Sequence, residues 1–175
     1  MQSNAPAFHN LMKYYTYYPS PIGKLLITAE DAQLTGIWYD NTHPIPLDAV
    51  FTDSAAVIRQ VCNWLDDYFL GKPINTDMLS LKPQGTPFQM LVWQLLLDIP
   101  WGETATYGEL AKLAAQKMGK DKMSAQAIGN AVGKNPISIV IPCHRCLGAG
   151  HSLTGYAGGL DRKRFLLDLE KTEYA

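Results

Sequence analysis

The chain of 175 residues carries a formal net charge of −1, and 47% of its residues are hydrophobic while 18% are charged. This composition is typical of one large or two small folded domains, and no apolar run has the length of a membrane span or the order of a signal peptide. The nearly balanced charge argues against a surface coated with cations for nucleic acid, although a local basic patch is compatible with it.

The first half of the chain predicts a small sheet followed by one helix. Stretches rich in Tyr, Ile, Leu and Thr, separated by turn-forming residues, predict three strands at residues 13–18, 23–29 and 34–39. A polar loop follows over residues 40–47. Apolar residues at helical spacing then predict a helix that Ser54 caps and Gly71 ends. Residues 75–85 show no periodicity and are interpreted as a linker.

The second half opens with two helices whose first residues are well marked. Thr86 and Gln89 form a capping box with Pro87 at the first helical position, and Thr106 and Glu109 form a second capping box. The residue pattern therefore divides the chain into a sheet-plus-helix domain over residues 1–82 and a helical domain over residues 83–175.

A third helix of this half is predicted over residues 125–133, with Ser124 as its cap, and completes a helix-turn-helix candidate. Ile128 and Val132 would face the core. The opposite face carries small and polar residues, namely Gln126, Gly129, Asn130 and Gly133, flanked by Ala127 and Ala131. Each glycine costs a helix roughly 1 kcal/mol relative to alanine. Close approach of a bulky partner such as a DNA strand would explain both glycines, and tight helix–helix packing would explain them equally well.

A cysteine suited to nucleophilic chemistry follows this helix. The β-branched run at residues 137–141 predicts a strand that leads directly into Pro142, Cys143, His144 and Arg145. The thiol would lie at the rim of the core beside a histidine and an arginine. Such neighbours can lower a cysteine pKa from about 8.5 into the range of roughly 3.5–7.5, which favours attack by the thiolate.

These motifs resemble those of the O6-alkylguanine-DNA alkyltransferase family. The similarity is carried by the Pro-Cys-His-Arg sequence at 142–145, Gly-Lys-Asn-Pro at 133–136, Gly-Tyr-Ala-Gly-Gly at 155–159, and residues 99–103 and 106–111. It is strong over residues 86–170 and extends to the first half only through the layout of strands and one helix. The resemblance implies an α+β fold, with a small ribonuclease-H-like domain followed by a helical, winged helix-turn-helix domain.

The resemblance also implies a function and a set of roles. The family performs direct-reversal DNA repair, moving a methyl or small alkyl group irreversibly from guanine O6 onto the protein, and thymine O4 is a second candidate donor. Cys143 would be the acceptor. His144 would take the thiol proton through a water, with Glu170 holding the histidine in a Cys–His–carboxylate arrangement. Asn135 would tie the helix-turn-helix to the active-site segment, and Tyr107 would donate a hydrogen bond to the flipped base. On the residues alone, Glu170 could be a solvated charge and Tyr107 a core ring.

Contacts to DNA follow from the same resemblance. The base must leave the stack before its alkyl group can be displaced. Tyr156 and Ala157, in the glycine-flanked loop, would wall the pocket, although Tyr156 could simply anchor the loop. Arg145 would hold either structure or a phosphate. The minor groove would be contacted by the exposed face of the third helix, namely Gln126, Ala127, Gly129, Asn130 and Gly133.

Three positions depart from the family pattern. Gln126 stands where members usually carry an arginine that fills the gap left by the extruded base, which bears on base flipping rather than on the chemistry. Ser138 replaces a proline of some relatives and bears on the size of alkyl group that the pocket admits. Cys146 replaces an aliphatic residue whose backbone carbonyl is what matters.

The cysteines allow other interpretations. Cys143 and Cys146 form a C-x-x-C, which is typical of thioredoxin-like pairs and of half a zinc site. Because no second ligand pair and no βαβ frame are present, neither is supported, and no metal or cofactor is expected. Cys62 is interpreted as a buried small hydrophobe. With no even disulfide framework, the chain is expected in a reducing, cytoplasmic compartment.

Two further classes of protein share parts of this pattern. A non-enzymatic lesion-binding protein of the same fold would flip alkylated bases, but such relatives replace the cysteine that this chain keeps. A winged-helix transcription regulator would use Cys143 as a redox sensor and bind an operator as a dimer, and no heptads or dimer helix are evident. The expected partner is therefore double-stranded DNA, bound by a monomer without a membrane or a small-molecule cofactor.

Overall fold

The computed structural model describes residues 11–39 and 42–174, and their architecture is α+β, with a small N-terminal sheet and a helical second half. In chain order the elements are β1 (Lys13–Ser20), β2 (Gly23–Glu30), β3 (Gln33–Tyr39), β4 (Val50–Phe51), α1 (Ala56–Phe69), α2 (Pro87–Leu97), β5 (Ala105–Thr106), α3 (Tyr107–Lys117), α4 (Ala125–Val132), a 3₁₀ turn (Cys143–Arg145), β6 (Cys146–Leu147), a second 3₁₀ turn (Ala149–His151) and α5 (Leu160–Leu169). None of the helices in this part of the chain is long and apolar enough to cross a membrane.

The N-terminal sheet has the strand order β3-β2-β1-β4, and its first three strands confirm the prediction to within two residues at each end. β1 and β2 form a tight antiparallel hairpin that ends at the Ser20–Gly23 pair. The predictions missed β4, which has only two residues and pairs in parallel with β1. Fully buried side chains such as Ile27 and Ile37 form one face of the sheet and belong to the same core as α1.

Helix α1 begins one residue later than predicted. Its N-cap is Ala55, which supplies no side-chain cap, whereas the hydroxyl of Ser54 lies 3.1 Å from that of Thr52. The prediction of Ser54 as the cap is therefore wrong, because its hydroxyl is used in the preceding turn. The helix ends as expected before Gly71, whose φ of 73° suits glycine. Cys62 is half-buried rather than fully buried, and it is free.

The helix starts of the second half are confirmed. The Thr86 and Thr106 hydroxyls each accept a hydrogen bond from the backbone amide three positions later, and the Gln89 and Glu109 side chains accept from the Thr86 and Thr106 amides. The Ser124 hydroxyl accepts from the Ala127 amide at 3.0 Å and caps α4, which ends one residue before the predicted Gly133. These caps set the directions of α3 and α4.

The predicted strand at residues 137–141 is wrong. These residues form a buried, irregular segment, and within the part of the chain that the structure describes its only sheet-like contact is a bridge between Ile137 and Ile37 of β3. Ile139 has a φ of 72°, which no strand contains. The Asn135 side chain closes the segment, since it accepts from the Ile137 amide at 2.9 Å and donates to the Ile141 carbonyl at 2.8 Å. The β-branched run therefore reflects burial rather than sheet pairing.

Candidate active site

Cys143 lies at the wall of a small cavity that is formed by elements of the second half of the chain. The thiol residue is the first of a 3₁₀ turn and is 5% exposed. The cavity has a volume of about 170 Å³. Its other lining residues come from the start of α3, from α4 and from the glycine-flanked loop; they are Tyr107, Gly129, Val132, Gly133, Gly155, Tyr156 and Ala157. Six of the fifteen predicted site residues, Cys143 included, thus line one cavity.

Behind this cavity, His144 and Arg145 share one buried carboxylate. Nε2 of His144 lies 2.7 Å from Oε1 of Glu170. Nε and Nη2 of Arg145 donate to Oε2 and Oε1 of the same residue at 2.8 and 3.1 Å. Nη1 of Arg145 donates to the Ile99 carbonyl at 2.6 Å. Glu170 is 1% exposed, so the interpretation of this residue as a solvated charge is wrong.

The ionisation of this group follows from its contacts. Burial opposes ionisation of Glu170, but the charges and hydrogen bonds of His144 and Arg145 outweigh it and lower the pKa of that carboxyl to about 2. Burial lowers the pKa of His144, although Glu170 acts in the opposite direction. A neutral His144 would donate from Nε2 to Glu170 and leave Nδ1 as a base. Nδ1 is buried and makes no hydrogen bond to the residues that the structure describes.

The expectation of a lowered thiol pKa is wrong for the chain without DNA. Burial raises the pKa of Cys143, against the opposing hydrogen bonds of Asn135 and Tyr156 and the charge of Lys163. The resting cysteine is therefore a thiol, which stays unreactive until a base removes its proton. A neutral histidine next in the chain is suited to that task.

The glycine-flanked loop is held from two sides that the sequence did not reveal. Lys163 of α5 is fully buried, and its Nζ donates to the carbonyls of Cys146 and Thr154 at 2.6 Å and of Gly155 at 3.1 Å. On the other side, the Tyr156 hydroxyl is hydrogen-bonded to the hydroxyl of Tyr39 from β3. Tyr156 therefore both anchors the loop and lines the cavity, so the two interpretations of it hold together.

The structure buries Arg145, Ser138 and Cys146. Arg145 is buried and donates to Glu170 and to the Ile99 carbonyl, which agrees with the structural one of its two expected roles. Ser138 is buried, and it is not one of the described residues that line the Cys143 cavity. The Cys146 side chain is fully buried, and burial raises its pKa to about 12. Its carbonyl, the part expected to matter, accepts the hydrogen bond from Lys163.

The outer face of α4 is exposed in the part of the chain that the structure describes. Gln126, Asn130 and Gly133 are exposed, while Ile128 and Val132 are buried, as the sequence predicted. A Cβ at Gly129 would meet nothing nearer than the Tyr107 ring at 3.8 Å, and one at Gly133 would meet only carbonyls of its own helix. Tight packing against another helix therefore does not explain these glycines. Exposed lysines flank the helix at positions 120, 122 and 134.

Within the described residues, no three His, Cys, Asp or Glu side chains converge in a way that could hold a metal ion.

Comparison with known proteins identifies the family. Residues 87–172 match the model of the 6-O-methylguanine DNA methyltransferase DNA-binding domain, and residues 13–83 match that of its ribonuclease-like domain. The chain belongs to the 6-O-methylguanine DNA methyltransferase family. Curated relatives named methylated-DNA–protein-cysteine methyltransferase include one from Haemophilus influenzae, 45% identical, covering 92% of this chain and 88% of the relative. One from Methanosarcina acetivorans is 41% identical, covering 90% and 97%.

Solved structures of this methyltransferase family share the fold. The O6-methylguanine methyltransferase of Mycobacterium tuberculosis aligns with a TM-score of 0.77 at 39% identity, covering 91% of this chain and 93% of the other. A complex of the Mycobacterium tuberculosis protein OGT with DNA aligns with a TM-score of 0.79 at 38% identity, covering 90% and 92%. The likeness therefore extends over both halves of the chain.

Proposed function

We propose that this protein repairs DNA by moving a methyl or small alkyl group from O6 of guanine to Sγ of Cys143, irreversibly and once per molecule. The observation that carries the proposal is a single buried thiol in a small cavity with a His–Glu pair behind it. The names of the relatives, methylated-DNA–protein-cysteine methyltransferase, support the same reaction. Residues 83–175 would supply the nucleophile and the DNA contact, and residues 1–82 would support them.

The geometry supports a simple sequence of steps. His144 takes the thiol proton through a water, and Glu170 stabilises the imidazolium that forms. The thiolate attacks the alkyl carbon in line with the C–O bond, and the bonding electrons return to guanine O6. Tyr107, across the cavity, donates its hydroxyl hydrogen bond to the departing base. Burial raises the pKa of Tyr107, so it stays a protonated donor. The thioether product leaves no free thiol, which ends activity.

The DNA contact is proposed to use the minor groove and the exposed face of α4. A cavity of this size does not admit a duplex, so the damaged nucleotide must be extruded, which costs a few kcal/mol and least at a weakly paired lesion. Gln126 and Asn130 would face the groove, and the small residues Gly129 and Gly133 would let the backbone approach. The protein would act as a monomer. Its three free cysteines support a reducing, cytoplasmic compartment.

The proposal is tested by mass. After incubation with duplex DNA that carries one O6-methylguanine, the intact protein should gain one methylene and saturate at one per molecule. Fragmentation of the peptide that carries Cys143 and Cys146 should locate the group on Cys143. Unmodified duplex is the control. Tight binding to the lesion without any mass gain would instead favour a lesion-binding protein, and a methyl group on Cys146 would contradict the assignment of the nucleophile.

The placement of α4 gives a second prediction. Gln126→Arg should tighten binding to unmodified duplex, because it adds a cation beside the phosphates, and should change the slope of log affinity against log salt by about one unit. The measurement is affinity at several salt concentrations. Gln116→Arg is a matched control, since Gln116 is exposed on α3. Equal slopes for Gln126→Arg and the wild type would remove α4 from the groove.

A further inference from the structure

A tyrosine of the sheet-plus-helix half reaches the buried carboxylate of the candidate active site. Tyr68 lies on the last turn of α1 and is 1% exposed. Its hydroxyl donates to Oε1 of Glu170 at 2.7 Å, across 102 residues of sequence. The same oxygen accepts from Nε2 of His144, and the Tyr68 hydroxyl lies 3.4 Å from that nitrogen. Phenol, imidazole and carboxylate thus form a closed triangle.

We propose that Tyr68 is a positioning residue for alkyl transfer, which shares Oε1 of Glu170 with His144 and thereby limits the basicity of the imidazole. This inference rests on the proposed function, because it gives His144 the task of taking the thiol proton. Under this proposal the first half of the chain contributes a side chain to the active site and does more than support it.

The ring of Tyr68 is held so that its hydroxyl has one direction. Trp64 stacks on it with centroids 5.4 Å apart and an interplanar angle of 15°. Phe69 and Trp101 contact it edge-on at 5.4 and 5.3 Å, the latter from the turn after α2. A hydroxyl on a ring packed by three aromatic neighbours is pre-organised, because it has little rotational freedom to lose when it meets the carboxylate.

Burial and the charged groups around the triangle keep the Tyr68 phenol protonated and determine its effect on the pKa of His144. Among the described residues, the titratable groups facing His144 are Lys163 from α5, Glu170 at the C-cap of that helix, Arg145 from the 3₁₀ turn and Tyr68 from α1. Burial, and then the neighbouring Glu170, raise the pKa of Tyr68 well above its usual value, so it remains a donor across the working pH range. A donor on Oε1 withdraws negative charge that would otherwise stabilise an imidazolium. Removing it should therefore raise the pKa of His144.

The matched variants are Tyr68→Phe and Tyr18→Phe. The first keeps the packed ring and removes only the hydroxyl. The second removes a similar phenol–carboxylate hydrogen bond, from Tyr18 to Asp66 at 2.6 Å, on a more exposed part of α1. Two measurements are made on each: the pKa of His144 by NMR in the free protein, and the single-turnover rate constant on saturating methylated duplex from acid pH to pH 8.

In Tyr68→Phe the pKa of His144 should rise by about one unit, the range expected for one lost hydrogen bond. Below this pKa the transfer rate should then fall about tenfold, while at pH 8 it should match the wild type. Tyr18→Phe should change neither quantity. An unchanged His144 pKa, or an equal loss of rate at every pH, would overturn the proposal and leave Tyr68 a packing residue. Absence of transfer in the wild type would instead reject the proposed function, since the NMR titration is independent of it.

Discussion

Glu170→Gln is expected to slow single-turnover alkyl transfer at pH 7 by at least about 100-fold, as expected for loss of a residue that orients and charges a general base. The carboxylate accepts hydrogen bonds from His144, Arg145 and Tyr68. The amide nitrogen of glutamine is a donor and cannot accept. At least one of the three donors would therefore face another donor in place of a carboxylate oxygen. The amide also leaves the guanidinium of Arg145 without its counter-charge in a buried place. Breaking a buried pair in this way typically costs about 3 kcal/mol or more of unfolding free energy.

The stability difference between the wild type and Glu170→Gln should depend on pH. The pKa of Glu170 is lowered from 4.5 to about 2 in the folded chain. A depressed carboxyl pKa stabilises the folded state above the unfolded value, and this contribution is lost as pH falls from about 4.5 to about 2. The wild type should therefore exceed Glu170→Gln in stability by about 3 kcal/mol at pH 7 and by about 1 kcal/mol at pH 3.

Denaturant unfolding at the two pH values measures this difference, and a single-turnover assay measures the rate. Asp168→Asn is the matched control, since Asp168 is exposed near the end of the same helix and accepts only from Tyr174 among the described residues. It should keep both stability and transfer. A Glu170→Gln protein with wild-type transfer between pH 6 and pH 8 would exclude Glu170 from the reaction.

Features that depend on neighbouring residues could be predicted from the sequence. The capping boxes at Thr86 and Thr106 are closed by residues three positions away, so the sequence contains both partners. The two faces of α4 follow from helical spacing in the same way. Cys143, His144 and Asn135 could be named because each lies in a short contiguous motif, at 142–145 or at 133–136, and the resemblance of these motifs to a known family supplied roles that spacing alone does not.

Features that depend on distant contacts could not be predicted. The β-branched residues 137–141 indicate burial and strand alike, and what decides between them is a side chain, Asn135, that takes their hydrogen bonds. Tyr68 occupies an apolar position of α1 and meets Glu170 only in the folded chain. Lys163 stands among charged residues at 161–164, and nothing in that local pattern distinguishes it from its neighbours, because its burial depends on the loop whose carbonyls it binds.

Lys163→Met is expected to lower the free energy of unfolding by about 3 kcal/mol and to slow alkyl transfer by about 100-fold. Methionine keeps the length of the aliphatic stem but cannot donate, so the carbonyls of Cys146, Thr154 and Gly155 lose the ammonium that joins them. A buried acceptor left without a partner costs about 1–3 kcal/mol, and the three losses overlap because the loop can relax. For a chain of this size the expected fall in melting temperature is roughly 10 °C.

The effect on transfer has a separate cause. Gly155 and Tyr156 line the cavity beside Cys143, and Lys163 holds the carbonyl of the first of them. A shift of about 1 Å in a residue that positions the substrate can cost about 100-fold in rate. Arg164→Met is the matched control: Arg164 is the next residue of α5, is exposed, and its ion pair with Asp161 is long, at 3.8 Å. Thermal unfolding and single-turnover transfer at a temperature where both variants are folded measure the two effects. If Lys163→Met melted lower but transferred alkyl groups at the wild-type rate, the loop would not need this anchor to form the pocket, and Lys163 would serve stability alone.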